Sequence, residues 1–193
     1  MSFTANTAFE ARVSNNEWDK LCNVTGLYKV SDDPADCSAG TLCVTNGLLP
    51  CEGFAGIYNE NAYIMNAATS DANIDTPIYA CNPYESQMLQ GGNNRYHIGH
   101  ETLGLGINAG DTDTFTLVRF DNINVYRFGA GNADDATGTY FSIDGGFLKK
   151  EASAPTAAGS IYFEKVGSGY FTKGSRKSFA YIDVKACKVS VGS

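Results

Sequence analysis

Along the second half of the chain, apolar and polar residues alternate with a period of two. In "DTFTLVRF", Thr114, Thr116, Val118 and Phe120 interleave with Phe115, Leu117 and Arg119. In "FAYIDVKACKV", Ala180, Ile182, Val184 and Ala186 fall on one face, and Tyr181, Asp183 and Lys185 on the other. That period belongs to an extended strand whose two faces meet different surroundings. "NINVYRFG" predicts a further strand, with Ile123 and Val125 on one face and then Phe128, after a turn at Asp121-Asn122. "GTYFSIDGGFLKK" sets Asp144-Gly145-Gly146 between two apolar runs. This is a hairpin signal, because tight hairpin turns need the positive φ that glycine adopts freely. The segment from 160 to 191 predicts at least three strands, with turns at 167–169 and 174–176.

The first half is more broken. "GLYKV" and "TLCV" read as strands on either side of an Asp-Pro and Ser-Ala-Gly turn region, and "GFAGIYNENAYIMNA" and "TPIYACNPY" continue in the same style. Four of the five prolines, Pro34, Pro50, Pro77 and Pro83, lie here. Proline cannot donate to a ladder, so the strands of this half are expected to be short. At the N-terminus, Phe9, Val13 and Trp18 have only a loose helical spacing that "SNN" interrupts. We read this segment as an arm with at most one short helix. Such an arm cannot bury its apolar groups alone, so Phe3, Phe9, Arg12 and Trp18 are the candidate contacts with a partner. The expected architecture is all-β: an antiparallel β-sandwich or barrel-like domain with short strands and an extended N-terminal arm. Residues 1–20 form the arm and 21–193 the β-rich domain, with a possible subdivision near 105–113.

Composition agrees with this pattern. Tyr and Phe number 11 each and Gly 21, which suits strands joined by tight turns. The net charge of −7 is unevenly spread. Residues 1–148 carry eighteen Asp/Glu against six Lys/Arg, whereas 149–193 carry eight Lys/Arg against three acids. An acidic body argues against binding the nucleic-acid backbone, which needs a basic surface. Lys165, Lys173, Lys185 and Lys188 are expected to solvate strand faces rather than form a docking patch. The N-terminal residues lack the basic and apolar regions of a signal peptide, and no apolar run approaches a membrane-spanning helix. A chain made and kept in a cytoplasm holds its thiols reduced. The six cysteines, Cys22, Cys37, Cys43, Cys51, Cys81 and Cys187, also miss the close pair spacing of structural zinc sites. They are expected to be free, mostly buried, and to act as small hydrophobes.

The candidate chemistry is thin. "RYHIGHETLG" holds the only two histidines, His97 and His100. "HIGH" is a signature of class I aminoacyl-tRNA synthetases, but no strand–helix–strand unit precedes it, and "ETLGLGINAG" is too glycine-rich for the helix that must follow. As a metal clip, His97, His100 and Glu101 would converge only on a helix; on a strand His100 faces away. No metal and no cofactor is expected. "DANIDTP" has the early spacing of a calcium loop, but Thr76 and Asn82 stand where Gly and Glu are required, so a turn cluster is the better account. Asp32-Asp33 and Asp134-Asp135 point apart on extended backbone, and no nucleophile motif is present.

The runs "NEWDKLCNVTGLYKVSDDPADCSAGTLCV", "IYNENAYIMNAA", "TPIYACN", "NVYRFGAGN", "GTYFSIDGGFL" and "FAYIDVKACKV" resemble small structural proteins from the head-gene region of tailed phages and prophages, the head decoration or capsid-associated proteins. The resemblance spans most of the chain and includes no catalytic motif. It implies a virion structural protein, not an enzyme, assembled in many copies on the capsid surface after synthesis in the host bacterial cytoplasm. The implied partners are the major capsid protein and neighbouring copies of the same chain, with no direct contact to nucleic acid, no membrane and no small-molecule substrate. A tail-tube, connector or head-fibre component is a second structural reading. A carbohydrate-binding β-sandwich that stacks Tyr and Trp18 on sugars is an alternative of another class. A metal-dependent enzyme built on His97 and His100 is a further one.

Overall fold

Two kinds of strand sequence build two layers. In a computed structural model, the described residues are 9–12, 23–50, 58–82, 106–130, 138–173 and 176–191. Among them there is no helix. Four strands of the first half and one of the second close into a barrel: β2 (Asn23–Val30), β5 (Leu42–Pro50), β6 (Tyr58–Ala67), β7 (Ile78–Cys81) and β9 (Thr112–Val118). The order β2-β6-β5-β7-β9 returns to β2 through the β2–β9 pairing, Asn23↔Thr116 to Leu27↔Thr112. Every pair is antiparallel except β2–β6, which runs parallel from Thr25↔Ala62 to Tyr28↔Met65. The short strands β3 (Asp33–Pro34), β4 (Cys37–Ser38) and β8 (Gly106–Ile107) flank the barrel, with β4 paired to β8.

The second layer is an antiparallel six-stranded sheet in the order β1-β10-β14-β13-β11-β12. Its strands are β1 (Phe9–Arg12), β10 (Val125–Ala130), β11 (Tyr140–Asp144), β12 (Phe147–Glu151), β13 (Ile161–Lys173) and β14 (Arg176–Lys188). The all-β expectation holds, as a barrel with a sheet stacked on it. Sandwich and barrel are therefore both present.

Alternation sorts the side chains. Ile182, Val184 and Ala186 are buried, as their shared face predicts, together with Tyr126, Phe128, Phe141, Ile143, Ile161 and Phe163. They meet Leu42, Ile78, Ala80 and Val118 from the outside of the barrel in one apolar cluster. Phe163 packs edge-on against Phe120 and Phe128, with centroids 5.1 and 5.7 Å apart. A second cluster of Tyr28, Cys37, Cys43, Met65, Cys81, Ile107 and Phe115 fills the barrel. β9 serves both: Phe115 points into the barrel, and Val118 joins the cluster between the layers.

Several strands are longer than expected, with 9 and 10 residues in β5 and β6 and 13 each in β13 and β14; Pro50 falls at the end of β5 and leaves its ladder intact. Three further details depart from the sequence reading. Phe9–Arg12 is a strand, not part of a helix; a free sheet edge at β10 satisfies its backbone, where a short isolated helix would be marginal. The runs "DTFTLV" and "NVYRFG" are strands of different sheets, not a hairpin. Asp121 caps the corner between them by accepting the Ile123 and Asn124 N–H groups, each at 2.9 Å, and Asn122 takes φ 65°. No turn occurs at 167–169, where β13 runs through as one strand of 13 residues. A register shift between Lys165 and Gly167 lets the strand continue. A Cβ at Gly169 would lie 2.6 Å from the Tyr181 hydroxyl, so this glycine makes room for a ring rather than bending the chain.

Other turns fall where expected. Gly145 and Gly146 both have positive φ and close the β11–β12 hairpin. In "DANIDTP", Asn73 accepts the Asp75 and Thr76 N–H groups through its side chain and carbonyl, each at 2.9 Å, which makes a turn.

Candidate functional site

Three places carry chemistry: a sheet edge, the barrel interior and a cleft at one end of the second layer. The edge is β1. It is the terminal strand of its sheet and pairs with β10 from Phe9↔Phe128 to Arg12↔Val125. Two of the four candidate contact residues, Phe9 and Arg12, therefore sit on one strand. Phe3 and Trp18 lie outside the described residues, as do His97, His100 and the whole "RYHIGHETLG" run.

Next to this edge is an electrostatic lock. Arg127, opposite Glu10 on β1, donates through Nε and a terminal nitrogen to the two carboxylate oxygens of Asp183, at 2.7 and 2.9 Å. Its guanidinium carbon lies 3.7 Å from the centroid of the Tyr181 ring. A planar fork on a carboxylate, backed by an aromatic face, is arginine geometry that lysine cannot reproduce. Gly169 leaves room for Tyr181, whereas a Cβ at Gly167 would only touch Asp183 at an ordinary 3.5 Å. The arrangement is a structural clamp that ties β10 to β14.

In the barrel interior, Cys37, Cys43 and Cys81 are 2%, 0% and 0% exposed, and all are free. The Cys81 thiol points to the Cys37 carbonyl and the Cys43 thiol to the Thr41 carbonyl. Either thiol can instead turn its single S–H to the Cys37 sulfur, Cys43 first and then Cys81, and that favours ionisation of Cys37. Burial pushes the other two thiols well up. The Tyr28 phenol is raised to about 12, first by burial and then by the neighbouring thiols. Cys187, outside the barrel, is also free and buried. All four are free and buried, as expected, but Cys37 departs from the small-hydrophobe reading because its neighbours favour the thiolate; Cys22 and Cys51 lie outside the described residues. Among the described residues, no group of three or more His, Cys, Asp or Glu side chains is arranged to hold a metal ion.

The cleft has a volume of about 440 Å³. Tyr140, Ser142 and Glu151 of the β11–β12 hairpin, Tyr162 of β13, and the loop that follows β12 line it. Their positions follow from parity. Phe141, Ile143, Ile161 and Phe163 turn inward, so Tyr140, Ser142 and Tyr162 turn outward. The Gly145-Gly146 turn fixes the register that sets Glu151 opposite Tyr140. Ser142 donates its hydroxyl to the Glu151 carboxylate at 2.6 Å. The rings of Tyr140 and Tyr162 are 6.2 Å apart and tilted by 59°. Sequence reading missed this site, although the alternation and the hairpin register were both signals for it.

Comparison with protein-family models, with curated proteins and with solved structures finds no match.

Proposed function

We propose that this chain is a virion structural protein that decorates and cements the head shell of a tailed bacteriophage. Support comes from the resemblance of its strand runs to head decoration proteins, and from one structural observation. Among the described residues, the N-terminal strand Phe9–Arg12 is an edge strand, held by a single ladder to β10.

The same ladder forms equally well with the β10 edge of a neighbouring copy. Exchange leaves the number of backbone hydrogen bonds unchanged, so local concentration decides which edge is filled. Ten residues, 13–22, separate β1 from β2. Fully extended, they span at most about 33–36 Å. Strand addition of this kind supplies affinity through the backbone, and its side-chain pockets supply register. Repeated over many copies, weak contacts become a continuous clasp.

The test uses the particle. Purified full-length chain is added to DNA-filled heads that lack it, and bound protein is measured after sedimentation. The reading expects saturable binding and heads that survive heating better. It expects a chain lacking residues 1–18 to fold but not to bind. Binding to tails alone, or to no part of the particle, would sink it.

A further inference from the structure

We propose that the cleft between Tyr140, Tyr162, Ser142 and Glu151 is a binding site for a neutral saccharide. The inference stands apart from the shell reading and does not depend on it. Of the carbohydrate reading that stacked Tyr and Trp18 on sugars, it keeps the tyrosines and names them, without Trp18.

The chemistry of the lining selects the ligand. Two half-buried tyrosine rings offer apolar faces whose hydroxyls stay polar, the surface that packs against the C–H face of a sugar ring. They meet at a tilt of 59° with centroids 6.2 Å apart, not as a face-to-face stack. Glu151 is held in place by the Ser142 hydroxyl at 2.6 Å. That bond uses one of about four lone-pair sites of a carboxylate, and the rest can accept from a vicinal diol. Ser70 and Thr156 add hydroxyls around the rim. No Lys or Arg is among the described lining residues, so a phosphate, sulfate or uronate would meet Glu151 without a counter-charge. At about 440 Å³ the space suits one or two sugar rings. One wall, carrying Tyr140, Ser142, Glu151 and Tyr162, is built of strands with paired backbones, so these four side chains are positioned before a ligand arrives.

The experiment titrates the full chain with neutral mono- and oligosaccharides of glucose, galactose, mannose and N-acetylglucosamine, followed by amide chemical shifts and calorimetry. Shifts centred on β11, β12, the loop after it and the start of β13 around Tyr162, with millimolar or tighter affinity, are expected. Tyr162→Ala and Glu151→Gln should each weaken binding about tenfold or more, the scale of one lost ring face or charge-assisted hydrogen bond. If Tyr162→Ala does not fold, Glu151→Gln carries the test, because it preserves shape. Absence of any shift at 50-fold ligand excess, binding insensitive to Glu151→Gln, or preference for an extended peptide or an acidic sugar would overturn the proposal.

Discussion

At the residue scale, two glycines set tolerances that other residues cannot meet. A Cβ on Gly26 would run into Met65 Cγ inside the barrel and come within 3.0 Å of Phe115. Gly26→Ala should cost about 1–3 kcal/mol, the usual price of overpacking. The double change with Met65→Val should recover part of that in urea melts, whereas strict additivity would show that the clash is not the cause. Gly146 combines φ 82° with a Cβ position 2.9 Å from Thr41 Cγ2 and 3.1 Å from the Leu42 carbonyl. Its N–H donates to the Ala68 carbonyl, and its carbonyl accepts from Leu42 N–H, each at 2.8 Å. The hairpin tip is thus stitched into the barrel wall. The sequence showed that Gly146 would turn the chain. It could not show that the turn docks on the other layer, because docking depends on a contact about a hundred residues away.

At the element scale, the strand pattern was the most readable feature and strand pairing the least. Ala180, Ile182, Val184 and Ala186 take the inner face as their alternation required, and the Asp144-Gly145-Gly146 hairpin forms in register. The failure at 167–169 has a clear physical reason. Glycine in a strand signals either a turn or a close approach, and here Tyr181 lies across Gly169 while Arg127 stacks on Tyr181. The candidate cleft was legible only in part. Alternation places Tyr140, Ser142 and Tyr162 on the outward face, but the loop that closes the cleft has no periodicity. The clamp yields a prediction at this scale. Arg127 has a side chain only 10% exposed, and Asp183 one 21% exposed. Asp183→Asn keeps the volume but leaves a nearly buried guanidinium without its carboxylate. It should destabilise the fold by about 2–4 kcal/mol, somewhat below the cost of breaking a fully buried pair. Lys185→Ala, which removes a pairing with Glu164 at 3.3 Å, should change stability by less than about 1 kcal/mol. Equal effects of the two changes in matched denaturation curves would show that the clamp adds nothing beyond a surface pair.

At the scale of the molecule, the layers cannot come apart independently. β9 packs one face into the barrel and the other against the sheet. Tyr126, on the sheet, accepts the Arg119 N–H at 2.8 Å just past the end of β9. The Gly146 stitch joins the layers again at the hairpin tip. Alkaline titration can therefore probe the whole fold. Burial, first among the causes, raises the Tyr28 phenol inside the barrel and the Tyr126 phenol between the layers to about 12, from an ordinary value of 10. A folded-state value above the unfolded one favours the protonated form in the folded chain. The associated stability is fully present below pH 10 and is lost as the pH rises from 10 through 12. Each group contributes at most about 2–3 kcal/mol to that loss, at 1.36 kcal/mol per unit. Urea midpoints should hold steady up to pH 10 and then fall. Phenolate absorbance from these two tyrosines should rise together with labelling of the Cys43 and Cys81 thiols, which are fully buried in the native barrel. Tyr126→Phe should flatten part of the pH slope while costing about 1 kcal/mol at neutral pH for the lost hydrogen bond. If thiol labelling and the tyrosine signal instead followed separate transitions, barrel and sheet would be two folding units, and β9 would not couple them.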